Sequence, residues 1–147
     1  MKRLANYIIL PDLKLMVECY KGRLVANDAI NYKKSLLRDK GYNPAFNIIT
    51  DLRETEMQIK AEEDLNELKG FLDFLKDTPV KRRVALLVDK PYQTALATLF
   101  KELGSLTIIE YEVFSTLGAA INYIGFTINE YDLINEALLK LSRDTSG

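Results

Sequence analysis

Between Val84 and Val88 five apolar residues follow one another without a break. Just beyond them, Pro91 opens a run in which Tyr92, Ala95, Leu96, Leu99, Phe100 and Leu103 recur at helical spacing, and Gly104 is placed to stop it. An unbroken apolar run of this length is how a strand covered on both faces reads, because neither side of its pleat meets water. Proline at the first helical position sacrifices no hydrogen bond, and glycine is the usual residue just past a helix end. A doubly covered strand feeding directly into an amphipathic helix is the unit from which α/β sheets are built, and it constrains this chain more than any other feature.

The flanking segments extend the pattern. Tyr7 to Leu10 and Leu15 to Tyr20 are rich in branched and aromatic residues and are parted by Pro11-Asp12, which predicts a hairpin. After Gly22, Val25, Ala29, Tyr32 and Leu36 share a helical face that Ile30 and Leu37 widen, with Asn27 or Asp28 as N-cap and Gly41 as stop. Phe46 to Thr50 predicts a short strand, from whose carboxyl end Asp51-Leu52-Arg53-Glu54 leads into a loop. Ala61 to Lys76, acidic at its start and carrying Leu65, Leu68, Phe71, Leu72 and Leu75, predicts a helix.

Thr107 to Phe114 predicts a strand with Ile109, Tyr111 and Val113 on one face and Glu110 and Glu112 on the other. Ser115 is positioned to cap a short helix through Leu117, Ala120, Ile121 and Ile124 that Gly125 closes. Thr127-Ile128-Asn129-Glu130 has the spelling of a capping box ahead of a last helix carrying Tyr131, Ile134, Leu138 and Leu141. Together these elements predict one α/β domain over residues 1–147, with a mixed, mostly parallel sheet joined by right-handed helical crossovers.

Composition narrows the chemistry. The chain has no histidine, which removes the commonest general base and the commonest transition-metal ligand. Its one cysteine, Cys19, lies in an apolar strand pattern and reads as core. Lys and Arg number 20 against 21 Asp and Glu, so a net charge of −1 supplies no field to draw nucleic acid. No apolar run reaches the roughly 20 residues that cross a bilayer, and Pro11-Asp12 cuts short the apolar start that follows Lys2-Arg3, so no integral membrane segment is expected and the chain is placed in the cytosol. The glycines form neither phosphate-binding spacing, so no nucleotide cofactor is expected.

In open α/β sheets, ligands and partners meet the loops at the carboxyl ends of the strands. Here those loops offer Asp51, Arg53 and Glu54, then Asp89 and Lys90, then Ser115, as a rim for binding a protein partner or a second copy of the chain. The plainer reading of the same residues makes Asp89 and Ser115 helix caps, Asp51 a tie within its own loop, and Arg53 and Lys90 solvated. Tyr92, Leu96, Phe100, Tyr111 and Ile121 are the candidates for lining a pocket beneath the helices that would hold a small apolar ligand. Glu110 and Glu112 are spaced as a carboxylate pair but have no third ligand in view, so no metal or catalytic site is assigned to them. Lys81-Arg82-Arg83 reads as a solvated basic loop.

The strand ending Asp51-Leu52-Arg53 and the segment Val88-Asp89-Lys90-Pro91 entering a helix with Ala95 to Phe100, set in this order of elements, resemble the SpoIIAA-like branch of the anti-sigma-factor antagonist (STAS) fold. The resemblance covers about residues 5–124, leaving the helix at about 129–142 as an addition that covers a sheet face or mediates dimerisation. It implies a non-enzymatic docking module. In signalling members of that fold a serine directly after the aspartate is phosphorylated; Leu52 holds that position here, so the usual switch is not expected, and Thr50 and Thr55 are the nearest hydroxyls. The branch also resembles lipid-binding CRAL-TRIO proteins in shape, which implies, as the alternative, a carrier of an apolar or lipid-like ligand.

Overall fold

The computed structural model describes residues 5–57, 66–67, 69–70, 81–104 and 108–145. β1 (Ala5–Leu10) and β2 (Leu15–Leu24) form the expected antiparallel hairpin through a single 3-10 turn, Pro11–Leu13. Then follow α1 (Ala26–Leu36), β3 (Asn47–Met57), β4 (Arg82–Leu87), α2 (Pro91–Gly104), β5 (Ile109–Phe114), α3 (Leu117–Ile124) and α4 (Ile128–Asp144). The five strands lie in the order β1-β2-β3-β4-β5, and every pair after the hairpin is parallel. This is the mixed, mostly parallel α/β architecture that the alternation of periods predicts.

The pleat divides the core in two. Leu15, Val17, Cys19, Ile49, Ala85 and Leu87 face α3 and α4, whose Leu117, Ala120, Ile121, Ile134, Leu138 and Leu141 cover them. On the opposite face Met16, Tyr20, Ile48, Leu52, Val84 and Leu86 pack with Leu36 of α1 and Ala97 of α2. Right-handed crossovers that step in one direction across a sheet put their helices on the same side, which accounts for α1 and α2 sharing a face. The chain continues past the last strand to the bare face, and α4 lies across β1 and β2. It thus covers a sheet face, as one of the two expectations for it has it.

Several local expectations are corrected. β3 does not end near Thr50 but runs to Met57, because β2 also continues past a register shift between Cys19 and Lys21 and pairs with it as far as Leu24. The alternating Glu-Thr-Glu of this stretch carried no apolar signal, and Gly22, with φ of 82°, bends β2 rather than ending it. Val25 is the N-cap of α1, so Asn27 and Asp28 lie inside its first turn, and the helix stops at Leu36, well before Gly41. Thr116, not Ser115, caps α3 by accepting from the Ala119 N–H. Lys81-Arg82-Arg83 is not a solvated loop: Arg82 starts β4 and is buried against Tyr42, while Arg83 lies over the Tyr123 ring. Gly125, with φ of 107°, closes α3 as expected, and the Thr127–Glu130 capping box is present in full. The helix expected over 61–76 falls largely outside the described residues; 66, 67, 69 and 70 are helical.

The packing of α4 can be tested by two substitutions. Thr127→Ala removes the cap and should cost ~1 kcal/mol. Leu138→Ala, 2% exposed in the native chain, should cost ~2–5 kcal/mol. Urea unfolding should show both as lower midpoints with an unchanged slope.

Candidate functional site

Past Asp51, no strand among the described residues lies beside β3 on the β4 side, since the β3–β4 register ends at Asp51 opposite Leu87. The start of α2 occupies that place. Gln93 is fully buried, and its amide is used at both ends. Its Oε1 accepts from the backbone N–H groups of Asp89 (3.0 Å) and Lys90 (3.2 Å), and its Nε2 donates to the carbonyls of Arg53 (3.0 Å) and Thr55 (3.1 Å). The Lys90 ammonium adds a bond to the Arg53 carbonyl at 2.8 Å, and the Tyr92 hydroxyl adds one to Thr55 at 2.9 Å. The helix entrance is therefore held by Gln93, whereas the Asp89 carboxylate pairs with Lys90 at 3.1 Å.

On this support sits the polar rim. Asp51, 8% exposed, accepts from Arg53 three times: from its backbone N–H (3.0 Å), from Nε (3.0 Å) and, at the second oxygen, from Nη2 (2.9 Å). The hydrogen bonds to this carboxylate hold the guanidinium pKa above its ordinary value. Arg53 remains one-third exposed, and Asp89 and Lys90 about half. The structure thus brings Asp51, Arg53, Asp89 and Lys90 together. Glu54 points to the other side of the ribbon, where it meets Lys21 at 3.1 Å and the Ser142 hydroxyl of α4 at 3.2 Å. Ser115 stands exposed just past β5, on the same end of the sheet.

Neither Thr50 nor Thr55 presents its hydroxyl at the surface. Leu52 is buried in the core beside α1 and α2, Thr50 is 3% exposed with its hydroxyl on Glu18, and Thr55 is 1% exposed with its hydroxyl on the Leu52 carbonyl.

The suggested pocket is not assembled. Tyr111 belongs to the core face beneath α1 and α2, whereas Ile121, on α3, packs against the opposite face of the sheet. A single cavity cannot lie under both α2 and α3 with the sheet between them. Tyr92 is engaged with Thr55, and the side chains of Leu96 and Phe100 lie outside the described residues. What does exist is a groove of about 600 Å³ along the β5 edge, lined by Lys81, Lys101, Glu110, Tyr111, Glu112 and Tyr123 among others. Glu110 pairs there with Lys81 and Arg83, each at 3.4 Å, and Glu112 with Lys101 at 2.8 Å. Among the described residues, no three carboxylates or thiols gather in a metal-binding arrangement.

A buried network beneath α1 was not anticipated. Glu18, 1% exposed on β2, accepts from the Thr50 hydroxyl (2.6 Å), the Lys33 ammonium (2.5 Å) and the Tyr32 hydroxyl (3.1 Å). Burial lowers the Lys33 pKa, and the Glu18 carboxylate pulls it back up. The signal was a single acid inside Leu15 to Tyr20, a strand otherwise apolar on both faces, with Tyr32 and Lys33 adjacent on the helix that follows. A charge in such a place needs a partner.

Comparison with known proteins places this architecture. The order of elements and the sheet define a SpoIIAA-like fold, in agreement with the resemblance drawn from Asp51-Leu52-Arg53 and Val88-Asp89-Lys90-Pro91. A solved structure of an uncharacterized protein of the DUF3478 family with a SpoIIAA-like fold, from Shewanella loihica PV-4, superposes with a TM-score of 0.52 at 18% identity, over 82% of this chain and 91% of that one. No family model matches the sequence, and no curated protein does. Among the described residues, no helix is long and apolar enough to cross a membrane.

Two measurements probe these environments. Lys33→Met strands the Glu18 charge and should destabilise the fold by ~3–5 kcal/mol, whereas adding Glu18→Gln to it should restore much of the loss. Equal losses in the single and double variants would show that the pair is not coupled.

The second concerns alkaline pH. Burial raises the thiol of Cys19 from 9.0 to about 12 and the hydroxyl of Tyr111 from 10.0 to about 12, and it also raises Tyr20 and Tyr32. Groups with raised folded-state pKa values keep their protons while the unfolded chain loses them. Their stabilisation is complete below the unfolded values and is lost as pH rises through the folded ones. The lowered Lys33 opposes this trend as a single group. Thermal midpoints should therefore fall from about pH 9 upward, and Cys19→Ala should delay the onset towards the tyrosine range near pH 10.

Proposed function

We propose that the chain is a non-enzymatic protein-interaction module that docks a partner protein through the rim of Asp51, Arg53, Asp89 and Lys90. The observation that carries this reading is the Asp51–Arg53 clamp. A buried carboxylate fixes a partly exposed guanidinium through two side-chain bonds and one backbone bond, so little freedom is left for a partner to remove. Arginine held in this way is a common anchor at protein interfaces. Lys90 is oriented by its bonds to the Arg53 carbonyl and to Asp89. With two acids and two bases the rim has no excess of either sign, which suits a protein surface of mixed charge better than nucleic acid or an anionic membrane. The buried leucine at position 52 and the buried hydroxyls on either side of it favour an interaction that is not switched by phosphorylation there.

Arg53→Ala with Asp89→Ala removes both exposed ends of the rim and leaves Gln93 in place. Losing the exposed Asp89–Lys90 pair should cost at most about 1 kcal/mol, but Arg53→Ala leaves the buried Asp51 carboxylate without its guanidinium, so the thermal midpoint should fall and the capture is run well below it. Capture from cell extract, quantified by mass spectrometry beside the native chain, should lose one specific partner. Equal recovery of that partner by both chains would overturn the reading.

A further inference from the structure

We propose that the end of α1 and the turn after it form a docking surface for a short acidic segment of a partner protein, one in which aspartate or glutamate flanks an apolar residue. From Ala29 to Phe46 the chain carries four cations, Lys33, Lys34, Arg38 and Lys40, against a single acid, Asp39. The fold sorts these charges. Lys33 turns inward to Glu18, and Asp39 is tied down within its loop, where it accepts from the Tyr7 hydroxyl of β1 and, at 2.7 Å, from the Gly41 N–H. Lys34, Arg38 and Lys40 stay exposed, and among the described residues none of their side chains has a hydrogen bond or an ion pair. Leu37, beside Arg38, is 37% exposed. The helix dipole accounts for cations in the last turn of α1, Lys33 and Lys34. It does not account for Arg38 and Lys40, which lie beyond that turn.

Charge complementarity chooses the occupant. A surface cation with no internal partner offers an incoming carboxylate an ion pair without first breaking another. Lys34 and Arg38 stand one turn apart, about 5–6 Å between Cβ atoms, which neighbouring acids of one short segment can span. Leu37 adds the apolar contact beside them. The backbone is already set, because the N–H groups of Arg38 and Asp39 bond to the Ser35 and Leu36 carbonyls at 3.1 and 3.0 Å and Asp39 holds Gly41, so docking orders little but side chains. An extended polyanion fits less well. The whole chain carries a net charge of −1, so beyond a Debye length of about 8–10 Å it has no positive field to hold nucleic acid. One partly exposed leucine also gives a bilayer little to take up. This loop runs into the amino end of β3, whereas the rim starts at Asp51 further along the strand, so the two surfaces are separate.

The probes are two fluorescent synthetic peptides of one length, glutamates on both sides of a leucine and the same peptide with glutamine for glutamate, titrated by anisotropy into the full chain. The glutamate peptide should bind saturably and more weakly as salt is raised, and the glutamine peptide should bind at least about tenfold less tightly. Arg38→Glu with Lys40→Glu should weaken the glutamate peptide by about tenfold or more with the thermal midpoint nearly unchanged, since both are surface side chains without a partner among the described residues. Arg38→Gln with Lys40→Gln disturbs the loop less and should act in the same direction, which tests the site even if the charge reversal folds poorly. The rim variant Arg53→Ala/Asp89→Ala, assayed below its midpoint, should bind the glutamate peptide as the native chain does, so this site and the one proposed above can fail separately. Equal binding of the two peptides, or binding indifferent to both pairs of substitutions in folded protein, would overturn the proposal. So would co-sedimentation with vesicles containing phosphatidylserine, abolished by Arg38→Glu/Lys40→Glu, in a chain that does not bind the glutamate peptide, since the surface would then meet a membrane.

Discussion

The backbone of β3 beyond Asp51 sets a requirement that much of the rim answers. It has left β4 behind, and a strand edge without a neighbour must find donors for its carbonyls or leave them exposed. The chain supplies them from side chains: Gln93 and Lys90 to Arg53, and Gln93 and Tyr92 to Thr55. The same Gln93 amide holds the two N–H groups that open α2, so one buried side chain fixes both the strand edge and the helix entrance. Asp89 and Lys90 stand where they do because of that joint, and Arg53 is held from below by Asp51. The rim is thus a by-product of satisfying backbone groups, which explains how exposed charged side chains come to be firmly placed.

On the α1 side the sheet solves a different problem. The outward face of α1 is polar, and its hold on the sheet combines an apolar part, through Leu36 and Ile30, with a polar part in which Tyr32 and Lys33 converge on Glu18. Burying a charge pair adds little net stability compared with well-packed apolar residues, but it penalises every arrangement that separates the partners. A sliding or rotated α1 would keep much of its apolar contact and lose the pairing. Glu18 therefore acts on the position of α1 more than on its attachment, and Thr50, hydrogen-bonded to the same carboxylate, extends that control to β3.

Sequence made the architecture legible where apolar period and turn chemistry agree. Val84 to Val88, the stripe after Pro91, Gly125 and the Thr127–Glu130 box each carry two independent cues, and each appears in the fold. The far end of β3 carried neither cue, because Glu-Thr-Glu alternates between two polar residue types and its partner segment contains Gly22. The rim was half legible. Asp51, Arg53, Asp89 and Lys90 could be collected by the rule that strand ends converge, but Gln93 is a neutral residue in an ordinary helical turn, and only its burial reveals what it does. The pocket residues failed for a topological reason: helices on consecutive crossovers share a face, but α3 follows the last strand and is free to take the other one.

The placement of the rim follows from the same topology. It lies where β3 outruns β4 and the start of α2 fills the place beside it. Its side chains are held by internal bonds and can only fit or reject what meets them, a source of selectivity with little ordering cost. Because α2 carries both Gln93 at this joint and Ala97 in the core beside Val84 and Leu86, a substitution that shifts the helix displaces the rim and loosens that core together.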